Sequence, residues 1–218
     1  MSQRIRHIRT VAAFALMAAA LLAWPAVAAA QTVSGAASAV QATMFGTSTV
    51  LAGTGPLADA LDAREASDLE SGILSLGGAD VLHATTISSA DEVASEASLA
   101  DLGVAVAGNS VSAAFVMARA LAPVSGSPTG LSEIDDLAIN GVPVYVTGEP
   151  NQTLWLLGGR VIINEQTPSS SGTTVNALHV IVDGVADLVF ASASAGASSG
   201  GSTTPPPILP PSPLSGLF

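Results

Sequence analysis

Two histidines dominate the chemistry open to this chain beyond residue 30: His83 and His179, each set in an apolar run. A histidine from either run meeting Asp80 or Glu165 in space would make an acid–base or metal site. The competing reading is a hydrogen-bonded structural histidine, which is the usual outcome on an apolar strand. No HExxH spacing occurs. The chain has no cysteine, so disulfides, thiolate nucleophiles and Cys-based metal sites are excluded. Gly108-Asn109-Ser110-Val111-Ser112 lacks the closing glycine of a nucleophile elbow, and it opens a strand where an elbow would end at a helix. Gly53-Thr54-Gly55-Pro56-Leu57-Ala58 fits the loose glycine fingerprint of dinucleotide folds, but alternating strands and long helices do not follow, so it reads as a turn. Carboxylates gather at Asp91, Glu92, Glu96 and Asp101, and again at Glu133, Asp135 and Asp136. Calcium is the ion they would suit. Without an EF-hand loop or a glycine-aspartate nonapeptide, solvated acidic loops are the default. No catalytic residue and no cofactor is assigned.

The elements that must position these residues read as strands. Short apolar or alternating runs separated by Gly, Pro, Asn and Asp predict an all-β domain over residues 31–196. Strands are expected at Ala39–Phe45, Ser48–Ala52, Ile73–Leu76, Val81–Thr86, Gly103–Val106, Ser112–Ala120, Leu137–Ile139, Val142–Val146, Thr153–Leu157, Arg160–Asn164, Thr174–Val182 and Asp187–Ala193. Asn140-Gly141 and Asp183-Gly184 are the strongest hairpin signals, because a type I′ turn needs positive φ at both centres. Several strands are apolar on both faces, which predicts two packed sheets in a sandwich with long loops. The one helix candidate is Pro56–Glu70, with Pro56 at its first position and Leu57 and Leu61 on one face. An acidic loop crossing the sandwich is its rival.

Strict alternation along Thr174–Val182 projects Asn176 with Leu178, Val180 and Val182, and His179 with Val175, Ala177 and Ile181. The two are therefore expected on opposite faces. Asn164, Glu165, Asn176 and His179 are the structural polar candidates, since polar groups in apolar strands must be paired.

Both ends carry a separate message. Met1–Thr10 holds three arginines and no acid, Val11–Ala23 is unbroken apolar chain, and Trp24-Pro25 precedes Ala28-Ala29-Ala30. This is the pattern of a signal peptide cleaved before Gln31, leaving no membrane span. The rival is an uncleaved anchor. Residues 197–218 are rich in Gly, Ser and Pro and read as an extended tail. The six cations, all arginine, face seventeen carboxylates, and three of those arginines precede the cleavage point. So acidic a surface disfavours nucleic acid and anionic lipid.

One stretch is more distinctive than composition explains: Val161-Ile162-Ile163-Asn164-Glu165-Gln166, then Gly172–Val180, then Ala186–Ala193. It resembles the closing block of the choice-of-anchor P family, exported bacterial proteins in which a shared domain precedes differing attachment signals. The resemblance implies an exported, periplasmic or cell-surface location and supplies no activity. The function expected is that of a non-catalytic structural or interaction protein whose partner is a protein or polysaccharide of the envelope. The alternative is a metal-dependent or His-assisted extracellular hydrolase.

Overall fold

Small and β-branched residues separated by turn formers give thirteen strands and no helix among the residues described, 31–73 and 75–199 of a computed structural model. The signal-peptide and tail expectations fall outside the described residues, apart from the tail's first three positions. A hairpin of β1 (Thr32–Met44) and β2 (Thr47–Gly53) comes first. The chain then lays down β3 (Ala63–Gly72), β4 (Gly77–Ser88), β5 (Glu92–Val106), β6 (Asn109–Pro123), β7 (Thr129–Asp135), β8 (Ala138–Ile139) and β9 (Val142–Pro143) in a second sheet. It returns to the first for β10 (Gln152–Leu156), β11 (Gly159–Pro168), β12 (Gly172–Val182) and β13 (Ala186–Ser198). Sheet A has the order β10-β11-β12-β13-β1-β2. Sheet B has the order β3-β4-β5-β6-β8-β9, with β7 also paired to β6. Every pair is antiparallel. The pairing of β13 with β1 joins the two ends of the described chain in the middle of sheet A.

The inner faces of the two sheets meet to form the core. Alanine and valine supply most of it, and Phe190 is the largest fully buried side chain. Burying a side chain of that size contributes about 1.5–3 kcal/mol.

Alternation does not run unbroken through these strands. In sheet A the pairs Ile163-Asn164 and Ala177-Leu178 are buried at consecutive positions, and Phe190-Ala191 and Ala39-Val40 lie within longer buried runs of β13 and β1. Register aligns these pairs across the sheet, so the inward set changes parity in all four strands at one level. Asn164, Ala191 and Ala52 there have φ of 54°, 55° and 45°. A left-handed residue inside a strand turns the chain so that the next side chain repeats the face of the last, as in a bulge shared by several strands. Sheet B slips in the opposite sense. Ala100-Asp101 and Ala114-Phe115 both turn outward between buried flanks, with Val81, Asp101 and Asp136 at φ of 50°, 46° and 53°.

Several expectations are corrected. Pro56–Glu70 is not a helix: residues 56–62 form a loop, and Ala63 onward is β3 paired with β4. The carboxylates expected to favour a helix start instead fold the loop on itself. Asp62 Oδ2 accepts from the Ala58 amide (2.7 Å) and from Arg64 Nε (2.7 Å), and Asp59 Oδ1 accepts from the Leu61 amide (2.8 Å). The Ala58 amide, with Arg64 second, holds the Asp62 carboxyl below the usual carboxylate range. Leu57 packs against the core, while Leu61 and Leu69 stay exposed. Ile73 and Leu76 are not in a strand but flank the β3–β4 turn, where the Leu76 amide donates to the Ile73 carbonyl. The two acidic clusters are not loops, since most of their residues lie on β5 and β7. At Asp183-Gly184 only Gly184 has positive φ, in a three-residue loop between the partners Val182 and Ala186. Asn140-Gly141 has positive φ at both centres, as a type I′ turn requires. The last strand runs to Ser198, two residues past the expected boundary.

Candidate functional site

The slip decides which side chains share the outer face of sheet A. Ahead of it on β12 the even positions face outward, and beyond it the odd ones do, so Asn176 and His179 project the same way. The expectation of opposite faces fails for that reason. On β11 the same slip turns Glu165 outward, and on β13 it turns out Asp187 before the break and Ser192 after it.

These side chains form one hydrogen-bonded chain across three strands. Glu165 Oε2 accepts from Asn176 Nδ2 (2.6 Å) and from His179 Nδ1 (2.8 Å). The far ring nitrogen, His179 Nε2, lies 2.9 Å from Asp187 Oδ1. Asn176 Oδ1 in turn accepts from the Ser192 hydroxyl (2.7 Å). Ionised carboxylates only accept, so a ring protonated on both nitrogens satisfies both partners, whereas a neutral ring satisfies one at a time. The His179 side chain is 13% exposed and that of Asp187 58%, so the chain runs from a half-buried ring toward solvent.

Asn164 stands apart from this network. Its side chain is buried at the slip, where Nδ2 donates to the Gly148 carbonyl (2.9 Å) and Oδ1 accepts from Gln166 Nε2 (2.9 Å), tying β11 to the loop before β10. Asparagine tolerates the left-handed conformation better than most residues.

Beside Asn176 the outer face is hollowed. Glu165, Asn176, Ser192, Ser38 and Gly53 lie in one transverse row across β11, β12, β13, β1 and β2. Toward β2 the row ends in small residues, while longer side chains border it. The result is an open recess of about 400 Å³. Its floor is Ser38 and Ser192, 5% and 8% exposed although they point away from the core. Gln41 Nε2 donates to the Ser38 hydroxyl (2.7 Å). Sequence reasoning missed Ser38, Gln41, Ser192 and Asp187, which carry no motif.

His83 lies on the outer face of the other sheet, with Nε2 3.3 Å from Glu65 Oε1. It faces Glu65, not Asp80, and does not join His179. Among the acidic positions, Glu96 pairs with Arg119, whose Nε donates at 2.7 Å, while Glu133 and Asp135 project outward on either side of the buried Ile134. Among the described residues no three His, Asp or Glu side chains are placed to hold a metal ion. The glycine-rich segment Gly53–Ala58 leads from β2 into the loop closed by Asp62.

The chain matches no family model, no curated protein and no solved structure. Among the described residues no helix is long and apolar enough to cross a membrane.

Proposed function

We propose that this chain is an exported, non-catalytic interaction protein of the bacterial envelope and that the outer face of sheet A is its binding surface. One observation carries the non-catalytic part: both ring nitrogens of His179 are hydrogen-bonded to carboxylates. A histidine that activates a nucleophile needs one nitrogen free to receive its proton. The neighbouring hydroxyl, Ser192, donates to Asn176 instead of to a base. This argues against His179 as the base of a hydrolase, and the network reads as a rigid polar platform.

Export rests on the three-part pattern of residues 1–30 and on the resemblance of Val161–Ala193 to the choice-of-anchor P block. The partner is a protein or polysaccharide of the envelope, since the acidic surface disfavours nucleic acid. Two measurements test this reading. Amino-terminal sequencing of protein recovered outside the cytoplasm should begin at Gln31, and an intact Met1 form in the membrane pellet would replace a released protein with an anchored one. The purified protein should also co-sediment with isolated envelope fragments. No co-sedimentation would remove the reading.

A further inference from the structure

The recess on sheet A differs in chemistry from the rest of the molecule. Seventeen carboxylates are spread over this chain, yet among the described residues no ionised side chain lines the recess. Its polar groups are neutral hydroxyls and carboxamides: Ser38, Gln41, Thr174, Asn176, Ser192 and Ser194. Two of the hydroxyls sit on a floor more than nine-tenths buried.

Some of this hydrogen-bonding capacity is unspent. The Ser38 hydroxyl accepts from Gln41, which leaves its proton to donate. Among the described residues, neither the Gln41 side-chain carbonyl nor the Thr174 hydroxyl has a partner. The recess thus offers donors and acceptors side by side, already oriented by the Glu165–Asn176–Ser192 chain.

A ligand that fits must donate and accept at closely spaced points and carry no net charge. Anions are disfavoured by the chain's net negative charge. Cations would find no charged ligand inside the recess, and an apolar chain would strand the floor hydroxyls without partners. A sugar ring meets every condition, since each hydroxyl both donates and accepts. The volume lies at the low end for small-molecule sites. We infer that this recess is a subsite for a neutral glycan, holding about one or two rings of a longer chain. This deepens the envelope-binding reading and rests on it.

The test is a titration of the purified Gln31–Phe218 protein with cellohexaose, maltohexaose and chitohexaose, and with an alginate hexamer as the anionic control, followed by backbone amide shifts. At least one neutral hexaose should bind with a Kd of about 10 mM or tighter, with shifts centred on Ser38, Gln41, Asn176 and Ser192, while alginate gives none. Ser38→Leu fills the recess from the outer face and should weaken binding about tenfold or more. Gln41→Ala, which removes a contact without adding bulk, should weaken it too and serves if Ser38→Leu fails to fold. The inference is overturned if no neutral hexaose binds, if binding is unchanged in the folded variants, or if alginate binds equally well. Envelope co-sedimentation separates the two levels. Co-sedimentation that survives failure of every hexaose removes the glycan subsite alone, whereas its absence in the unaltered protein removes the parent reading.

Discussion

Removing the His179 ring takes a hydrogen-bond partner from between two carboxylates, Glu165 on β11 and Asp187 on β13. His179→Ala should lower stability by about 1–3 kcal/mol, read from the urea midpoint, since a partly buried acceptor loses its partner. His179→Gln keeps one donor and should fall between. An alanine variant as stable as the parent would mean that the ring ties nothing together. Asp62 gives a residue-scale prediction with a pH sign. Its folded carboxyl is held below the ordinary value by the Ala58 amide and then by Arg64. A lowered folded value contributes stability that is present above the unfolded carboxylate pKa of about 3.9 and is lost as pH falls through the folded value. Asp62→Asn should therefore be less stable than the parent at pH about 7, with the gap closing in acid below pH about 4. A gap that persists at low pH would assign Asp62 a role independent of its charge.

Several of the strands at the slip hold a residue in a conformation that L-amino acids avoid. Val81 is the clearest case: it is β-branched, exposed, and has φ of 50°. The left-handed region costs roughly 1–2 kcal/mol for such a residue, and asparagine enters it more easily. Val81→Asn should raise stability by about 0.5–1 kcal/mol by thermal or urea unfolding, and a clear loss would place the slip elsewhere. The slip also explains what the sequence does and does not disclose. Two packed sheets follow from strands apolar on both faces, and Asn140-Gly141 marks its turn without ambiguity. The site does not, because a period of two unbroken through Thr174–Val182 puts Asn176 and His179 on opposite faces. A trace of the break is nevertheless written in Leu188-Val189-Phe190-Ala191-Ser192-Ala193-Ser194-Ala195. Leu188 and Phe190 are apolar at even numbers, and from Ala191 the apolar residues turn odd while serines take the even positions. One strand showing this passes for noise. Its meaning comes from the neighbours that slip at the same level, and register is a tertiary fact. The segment Pro56–Glu70 failed for a related reason: pairing of its second half with β4 overrides a local helix pattern.

At the scale of the whole molecule, charge is unevenly shared. Asp68, Glu70, Asp80, Asp101, Glu133 and Asp135 all belong to strands of sheet B, whereas the outer face of sheet A carries a hydrogen-bonded network and an uncharged recess. Self-repulsion on this scale destabilises the compact state until salt screens it. The melting temperature should rise as NaCl goes from about 10 to about 150 mM, and a fall would show that attractive pairs such as Glu96–Arg119 outweigh the repulsion. Everything proposed for sheet A depends on the shared slip having brought Asn176 and His179 onto Glu165 together. A double-mutant cycle of Asn176→Ala and His179→Ala, measured by urea unfolding, tests that arrangement most directly. Because both side chains donate to the same oxygen, Glu165 Oε2, their effects should be non-additive, with a coupling of about 0.5–3 kcal/mol. Additivity to within about 0.3 kcal/mol would put the two on separate faces and contradict the account.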